Sequence, residues 1–213
     1  LPVGRAGGIG RLDQTVTLEF DDPREGLCFL AGIAAVDVPR LKPAVYGRPP
    51  ETVYLLAEKT GRKLARVYDK GVESNIAPPG RLVRLENQSR FGKQSRMSSE
   101  TISSPEVSEA LFKARFAPVA ASCEGLTAAT LPVLAEHLRE RVRDGKMTAR
   151  EAERLGGFLL VGGEGYSRPT RWRRRRELRE HGLVLADPLT DPIEVDLAEG
   201  VEAALAAWAG DDG

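Results

Sequence analysis

Apolar and polar residues alternate at period two in four stretches of the first ninety residues. Residues 11–20 (RLDQTVTLEF) place Leu12, Val16 and Leu18 among polar neighbours, which predicts a strand that ends at Asp21-Asp22-Pro23. Residues 52–57 and 63–69 predict two more strands around a turn at Lys59-Thr60-Gly61. Residues 82–88 predict a fourth, reached through a turn marked by Pro78-Pro79-Gly80. The last three read as an antiparallel meander. Between the first and second strands, residues 25–35 have the composition of a short helix, and residues 39–50 form a Pro/Gly-punctuated connection. Residues 90–104 are polar, Ser-rich and without apolar periodicity, so they read as a mobile loop. Pro105 then opens a helix with Val107, Leu111 and Phe112 on one face, and Pro118 is expected to close it after Phe116.

After Cys123 the spacing changes to that of helices. Leu131, Leu134, Leu138 and Val142 predict a helix over residues 127–143, stopped by Asp144-Gly145. Thr148 with Glu151 three residues later is a capping box for a second helix over 149–160. Pro169 starts a third through Arg179, with Gly182 as its stop; residues 183–185 look extended. Val201, Leu205 and Trp208 predict a closing helix over 199–209. The expected class is therefore α+β: an antiparallel-sheet unit with flanking helices over residues 1–120, then a helix-turn-helix-like unit over 121–213.

Composition narrows the picture. The apolar fraction of 41% is enough for a packed core, and no apolar run approaches the ~20 residues of a membrane span. Residues 1–10 lack the pattern of a secretory signal, and the chain starts at Leu1 rather than Met, which leaves room for residues upstream. Cys28 and Cys123 have no metal-ligand spacing and read as reduced, buried thiols of a cytoplasmic protein. With two histidines, His137 and His181, a His-rich metal cluster is excluded. The net charge of zero averages two opposite regions. Residues 139–179 are basic and culminate in Arg171-Trp172-Arg173-Arg174-Arg175-Arg176, while residues 183–213 contain no Lys or Arg. Arginines at successive positions cover several helix faces, and phosphates would supply their counter-charge. Arg171, Arg173, Arg174 and Arg175, with Trp172 available to stack on a base, are accordingly the candidate DNA contacts.

Two clusters could carry chemistry. Arg66-Val67-Tyr68-Asp69-Lys70 puts a phenol and an ammonium two residues apart on one strand, and a nearby cation eases formation of a phenolate. Arg84-Leu85-Glu86 puts a carboxylate in an apolar strand, and Arg11-Leu12-Asp13 repeats the order Arg-Leu-acid. Glu86 and Asp13 are candidate ligands for Mg²⁺ or Mn²⁺, the usual charge sink in phosphoryl transfer, with Glu19 and Asp69 as further possibilities. The plainer alternatives are that Tyr68 fills half-buried strand space and that Glu86 pairs with Arg66 or Arg84 across strands.

Tyr54-Leu55-Leu56, the Arg66 and Arg84 clusters and Arg11-Leu12-Asp13 together resemble the replication initiation factors of rolling-circle plasmids and the gene II/X-type replication proteins of filamentous phages. Residues 156–185 look like the carboxy-terminal segment of the gene II/X type. The resemblance implies a site-specific DNA endonuclease and strand transferase acting at a replication origin. Tyr68 would be its nucleophile, Lys70 its electrostatic helper, and Asp13 and Glu86 its metal ligands; a host helicase is a possible partner. Two departures stand out: no His-hydrophobe-His motif is present, and Thr17 occupies the position where relatives often carry a second acid. Tyr54 remains a rival nucleophile. A non-catalytic DNA-binding regulator of plasmid or phage replication shares the basic helix, and a mobilisation relaxase shares the chemistry.

Overall fold

The structure of the chain is a computed structural model that describes residues 9–39, 43–55, 63–92, 97–161, 165–186, 189 and 191–209. The turn expected at residues 59–61, the end of the strand expected over 52–57 and the glycines at 162–164 lie outside the described residues. In chain order the elements are β1 (Arg11–Glu19), α1 (Pro23–Ala35), β2 (Ala44–Tyr46), β3 (Thr52–Tyr54), β4 (Lys63–Asp69), α2 (Lys70–Ser74) and β5 (Leu82–Arg90). Then come α3 (Ser99–Ile102), α4 (Pro105–Cys123), β6 (Thr127–Ala129), α5 (Leu131–Arg143), α6 (Ala149–Leu160), α7 (Arg168–Glu180), β7 (Leu183–Leu185), β8 (Glu194–Asp196) and α8 (Leu197–Ala209). The class is α+β, as the alternation of patterns predicts.

Five strands form a wholly antiparallel sheet in the order β1-β5-β4-β3-β2. Directly opposed residues share a face, so the register separates two populations. Val16, Leu85, Val67 and Val53 form one row on the core side, all buried. Thr15, Glu86, Arg66 and Tyr54 form the row on the opposite side. Helix α1 packs under the core face through Phe29, Leu30 and Ile33, and α4 through Phe112 and Phe116. Polar side chains also clamp α4 to this face. Gln14 donates to the Ser108 carbonyl at 2.6 Å, and Asn87 donates to Gln14 at 2.7 Å.

The expected boundary near residue 120 falls inside α4, and the core continues beyond it. Ala128, Val184, Leu197, Val201 and Ala204 join the same buried cluster as the sheet residues, and Trp208 of α8 stacks on Phe112 at 4.9 Å. A second cluster of Leu134, Leu138, Leu155, Phe158, Leu178 and Leu183 holds α5, α6 and α7 together. Strand β6 lies between β7, parallel, and β8, antiparallel.

Several expectations are corrected. Pro118 does not end α4, because Phe112, Phe116, Val119 and Cys123 continue one buried face whose packing outweighs the ~3 kcal/mol cost of an interior proline. Residues 127–129 pair as β6 instead of opening α5, whose N-cap is Thr130. The 39–50 connection contains the edge strand β2, and the polar loop at 90–104 contains the last residue of β5 and the short α3. The capping box at Thr148 and Glu151 forms as expected. Both cysteines are buried and free, and burial pushes each thiol up to about 12. Among the described residues no helix is long and apolar enough to cross a membrane.

One close approach fixes α1 against the sheet. A Cβ on Gly26 would lie 1.9 Å from the Gly80 carbonyl oxygen, and Gly80 itself holds φ +85° at the turn before β5. Gly26→Ala should therefore force the helix off the turn and cost about 1–3 kcal/mol, the range of overpacking. A urea unfolding curve with an unchanged midpoint would show that the contact is not limiting.

Candidate functional site

The sheet face opposite the core carries the candidate residues. Thr15, Thr17, Asp13 and Arg11 of β1 are exposed on it, and Arg66 and Tyr68 of β4 and Arg84 and Glu86 of β5 lie between them and β3. Strand register alone brings these residues together, because each lies an even number of positions from Glu86 or its partners.

At the centre of the face, Glu86 is shared. Arg66 Nη2 donates to Glu86 Oε2 at 2.7 Å, and Tyr68 Oη donates to the same oxygen at 3.2 Å. The Arg66 guanidinium also sits 4.3 Å from the centroid of the Tyr68 ring. Only 9% of the Glu86 side chain and 3% of Tyr68 are exposed. Such a carboxylate needs partners to repay its dehydration, and Arg66 and Tyr68 supply them. The plainer alternative of a Glu86–Arg66 pair across strands is thus realised, together with the Tyr68 contact.

Tyr68 is held protonated at neutral pH. Burial raises its phenol above the ordinary value of 10.0, the charge of Glu86 adds to the rise, and Arg66 and Arg84 pull against it without cancelling it. The folded chain therefore keeps this proton at pH values where the unfolded chain loses it. That contribution to stability is complete below pH 10 and is lost as the pH rises through the folded value.

Not every expected residue joins the cluster. Strand β4 stops at Asp69, whose buried carboxylate caps α2 by accepting from Val72 N at 3.0 Å and pins the turn by accepting from Gly80 N at 2.5 Å. Lys70 consequently begins α2 and pairs with Glu73 at 2.6 Å, so the strand period that would set it beside Tyr68 does not apply. The cations at the phenol are Arg66 and Arg84. Asp13 lies on the right face, one row from Glu86 on the neighbouring strand, and is held by Arg11 at 2.6 Å. Glu19 pairs with Arg81 at 2.7 Å, and Asp69 is spent on the turn, so neither stands in for a second acid. Thr17 instead accepts from Arg84 Nε at 2.9 Å.

Among the described residues no three of His, Cys, Asp and Glu gather as a metal cage. Two carboxylates on one face nevertheless match the way Mg²⁺ binds, through one or two acids with water and substrate phosphate completing the shell. The donor chemistry fits on condition that Arg66 and Arg11 yield their oxygens. When bound there, the ion would supply positive charge to the nonbridging oxygens of a phosphate.

The basic helix is a second polar surface. Arg171, Trp172, Arg173 and Arg175 of α7 are exposed, with Trp172 55% open and flanked by Arg176. Arg171, Arg173 and Arg175 have no carboxylate partner among the described residues. Arg174 differs from the expectation: the 3.6-residue period turns it inward beside Leu178, where Glu177 accepts from it at 2.6 Å.

No family model, curated protein or solved structure matches the chain.

If Glu86 raises the phenol as described, Glu86→Gln should move the titration of Tyr68 to lower pH. The readout is the part of the 295 nm absorbance rise that Tyr68→Phe removes. An unchanged midpoint would assign the shift to burial alone.

Proposed function

We propose that this protein initiates rolling-circle replication by binding a replicon origin and nicking one strand, holding the new 5′ end on Tyr68. The observation that supports this reading is the meeting of the Tyr68 hydroxyl and the Glu86 carboxylate at 3.2 Å, on the sheet face opposite the core, which also carries Asp13. A phosphodiester that displaces the arginines covering that face would meet a phenol whose proton already points at an acceptor. The phenol oxygen forms a bond to phosphorus as its proton passes to Glu86, the bond from phosphorus to the 3′ oxygen breaks, and that oxygen leaves as a hydroxyl after taking a proton from water. Arg66 and Arg84 lie where they can stabilise the charge on the phosphate. The link conserves the bond energy, so the strand can be rejoined later.

Supercoiled DNA of the encoding replicon, incubated with the protein and Mg²⁺, tests this. The wild type should give an open circle and a protein–DNA adduct that survives denaturation. Tyr68→Phe should give neither and should still retard the DNA on a gel. An adduct that persists in Tyr68→Phe and disappears in Tyr54→Phe would move the nucleophile to Tyr54.

A second reading, a non-catalytic DNA-binding regulator of plasmid or phage replication, draws support from the near-complete burial of Tyr68 and the Arg66 lock on Glu86. It predicts retardation without nicking by the wild type. Both readings rely on α7. Replacing Arg171 and Arg175 with Ala should flatten the dependence of log affinity on log salt by about 0.9 per lost phosphate contact on duplex DNA. An unaltered slope would exclude α7 from the interface.

A further inference from the structure

We propose that the edge strand β2 extends the open face into a path for single-stranded nucleic acid, on which Tyr46 and Tyr54 stack bases leading to Tyr68. The inference rests on the reading that this face handles a DNA strand, and it adds residues and a direction of approach.

Register places the three tyrosines on one face. Tyr46 opposes Thr52, Thr52 opposes Tyr68, and in the next row Ala44 opposes Tyr54, which opposes Arg66. Tyr46 is 61% exposed although its neighbour Tyr54 packs against it, ring centroids 5.4 Å apart and nearly perpendicular. A pair of rings reaching from the sheet edge to the phenol suits base stacking, which every base can satisfy because every base has a π-face. Strands β2 and β4 are about 10 Å apart, a distance covered by on the order of three nucleotides at ~3.4 Å each.

One feature argues for a polyanion rather than a peptide. Arg66 is already committed to Glu86 at 2.7 Å, with Glu73 at 3.9 Å, but Arg84 makes no ion pair among the described residues. Its guanidinium lies beside the tyrosine track, where a phosphate competing with the charge of Glu73 would complete it. The edge strand also nears the basic helix. Val45, which opposes Val53 on the core side of the sheet, shares a cleft of about 180 Å³ with Arg175 and Arg179 of α7. A strand passing from α7 to the tyrosines would round the sheet edge at β2.

The test uses the full chain and a fluorescein-labelled oligo-dT of about 15 nucleotides, within the usual site size of a single-stranded binder. Binding is followed by anisotropy at ~0.1 M salt. Tyr46→Ala should weaken binding roughly 10- to 100-fold, and Tyr46→Trp should restore it. Affinity equal to wild type in Tyr46→Ala overturns the path, as does tighter binding to a duplex of the same length. Photocrosslinking of 5-iodouracil-substituted oligonucleotide to the wild type guards against a misfolded variant: adducts at Tyr46 or Tyr54 are expected, and their absence from both overturns the path. The covalent assay separates the two ideas. Loss of oligo-dT binding in Tyr46→Ala with no wild-type adduct keeps the path and removes the nicking reading. A wild-type adduct with unaltered Tyr46→Ala binding does the reverse.

Discussion

The pairing register of β5 is the constraint on which the rest of this molecule depends. Side chains on a strand alternate between faces, so Leu85 and Glu86 necessarily look in opposite directions. With β5 between β1 and β4, Val16 and Val67 join Leu85 against α1, while Thr15 and Arg66 join Glu86 on the other side. A slip of β5 by one residue would turn Glu86 into the core and expose Val83 and Leu85. Burial of one face therefore assembles the polar cluster on the other, and no separate interaction is needed to bring Tyr68, Glu86 and Asp13 onto one surface.

Within that surface, charge balance decides what Tyr68 can do. A phenol this enclosed resists ionisation, and the carboxylate it touches deepens the resistance. Arg66 offsets part of that by pairing with Glu86 and lying against the ring. Under the proposed nicking reaction this arrangement would be the resting state. A phosphate entering beside Arg66 and Arg84 would compete with Glu86 for guanidinium, freeing the carboxylate to take a proton. The proposed reaction therefore requires that an incoming phosphate rearrange the arginines before the enclosed Tyr68 can act.

Much of this was legible from spacing. Period-two alternation located β1, β4 and β5, and therefore the face shared by Tyr68 and Glu86. Illegible parts arose where a side chain chose the backbone over the pattern. Asp69 caps α2, which takes Lys70 off the strand, and an acid ahead of Lys-Gly could not announce that choice locally. Tertiary burial overrode Pro118 because the face formed by Phe112, Phe116 and Val119 needed a longer helix. Strand β2 escaped notice since three residues between Pro43 and Gly47 carry too few periods to register. Gln14 and Asn87 break the apolar rhythm of the core face; Asn87 Nδ2 donates to Gln14 and Gln14 donates to α4, while Asn87 Oδ1 is buried without a partner. Arg174 was indistinguishable from its neighbours in a run of arginines until the helix phase, set by Leu178, turned it towards Glu177.

The basic helix and the sheet face are not independent modules joined by a tether. Arg179, on the last turn of α7, donates to the Ala35 carbonyl at 3.1 Å and pairs with Asp37, both at the end of the helix that underlies the sheet. Leu178 and Leu183 anchor α7 to its own cluster, while Val184 of the adjoining β7 belongs to the core beneath the strands. The distance between the exposed arginines and the tyrosines of the open face is consequently set by packed side chains. The position of α7 relative to the sheet is therefore settled in folding, and any ligand that touches both surfaces would meet them already oriented.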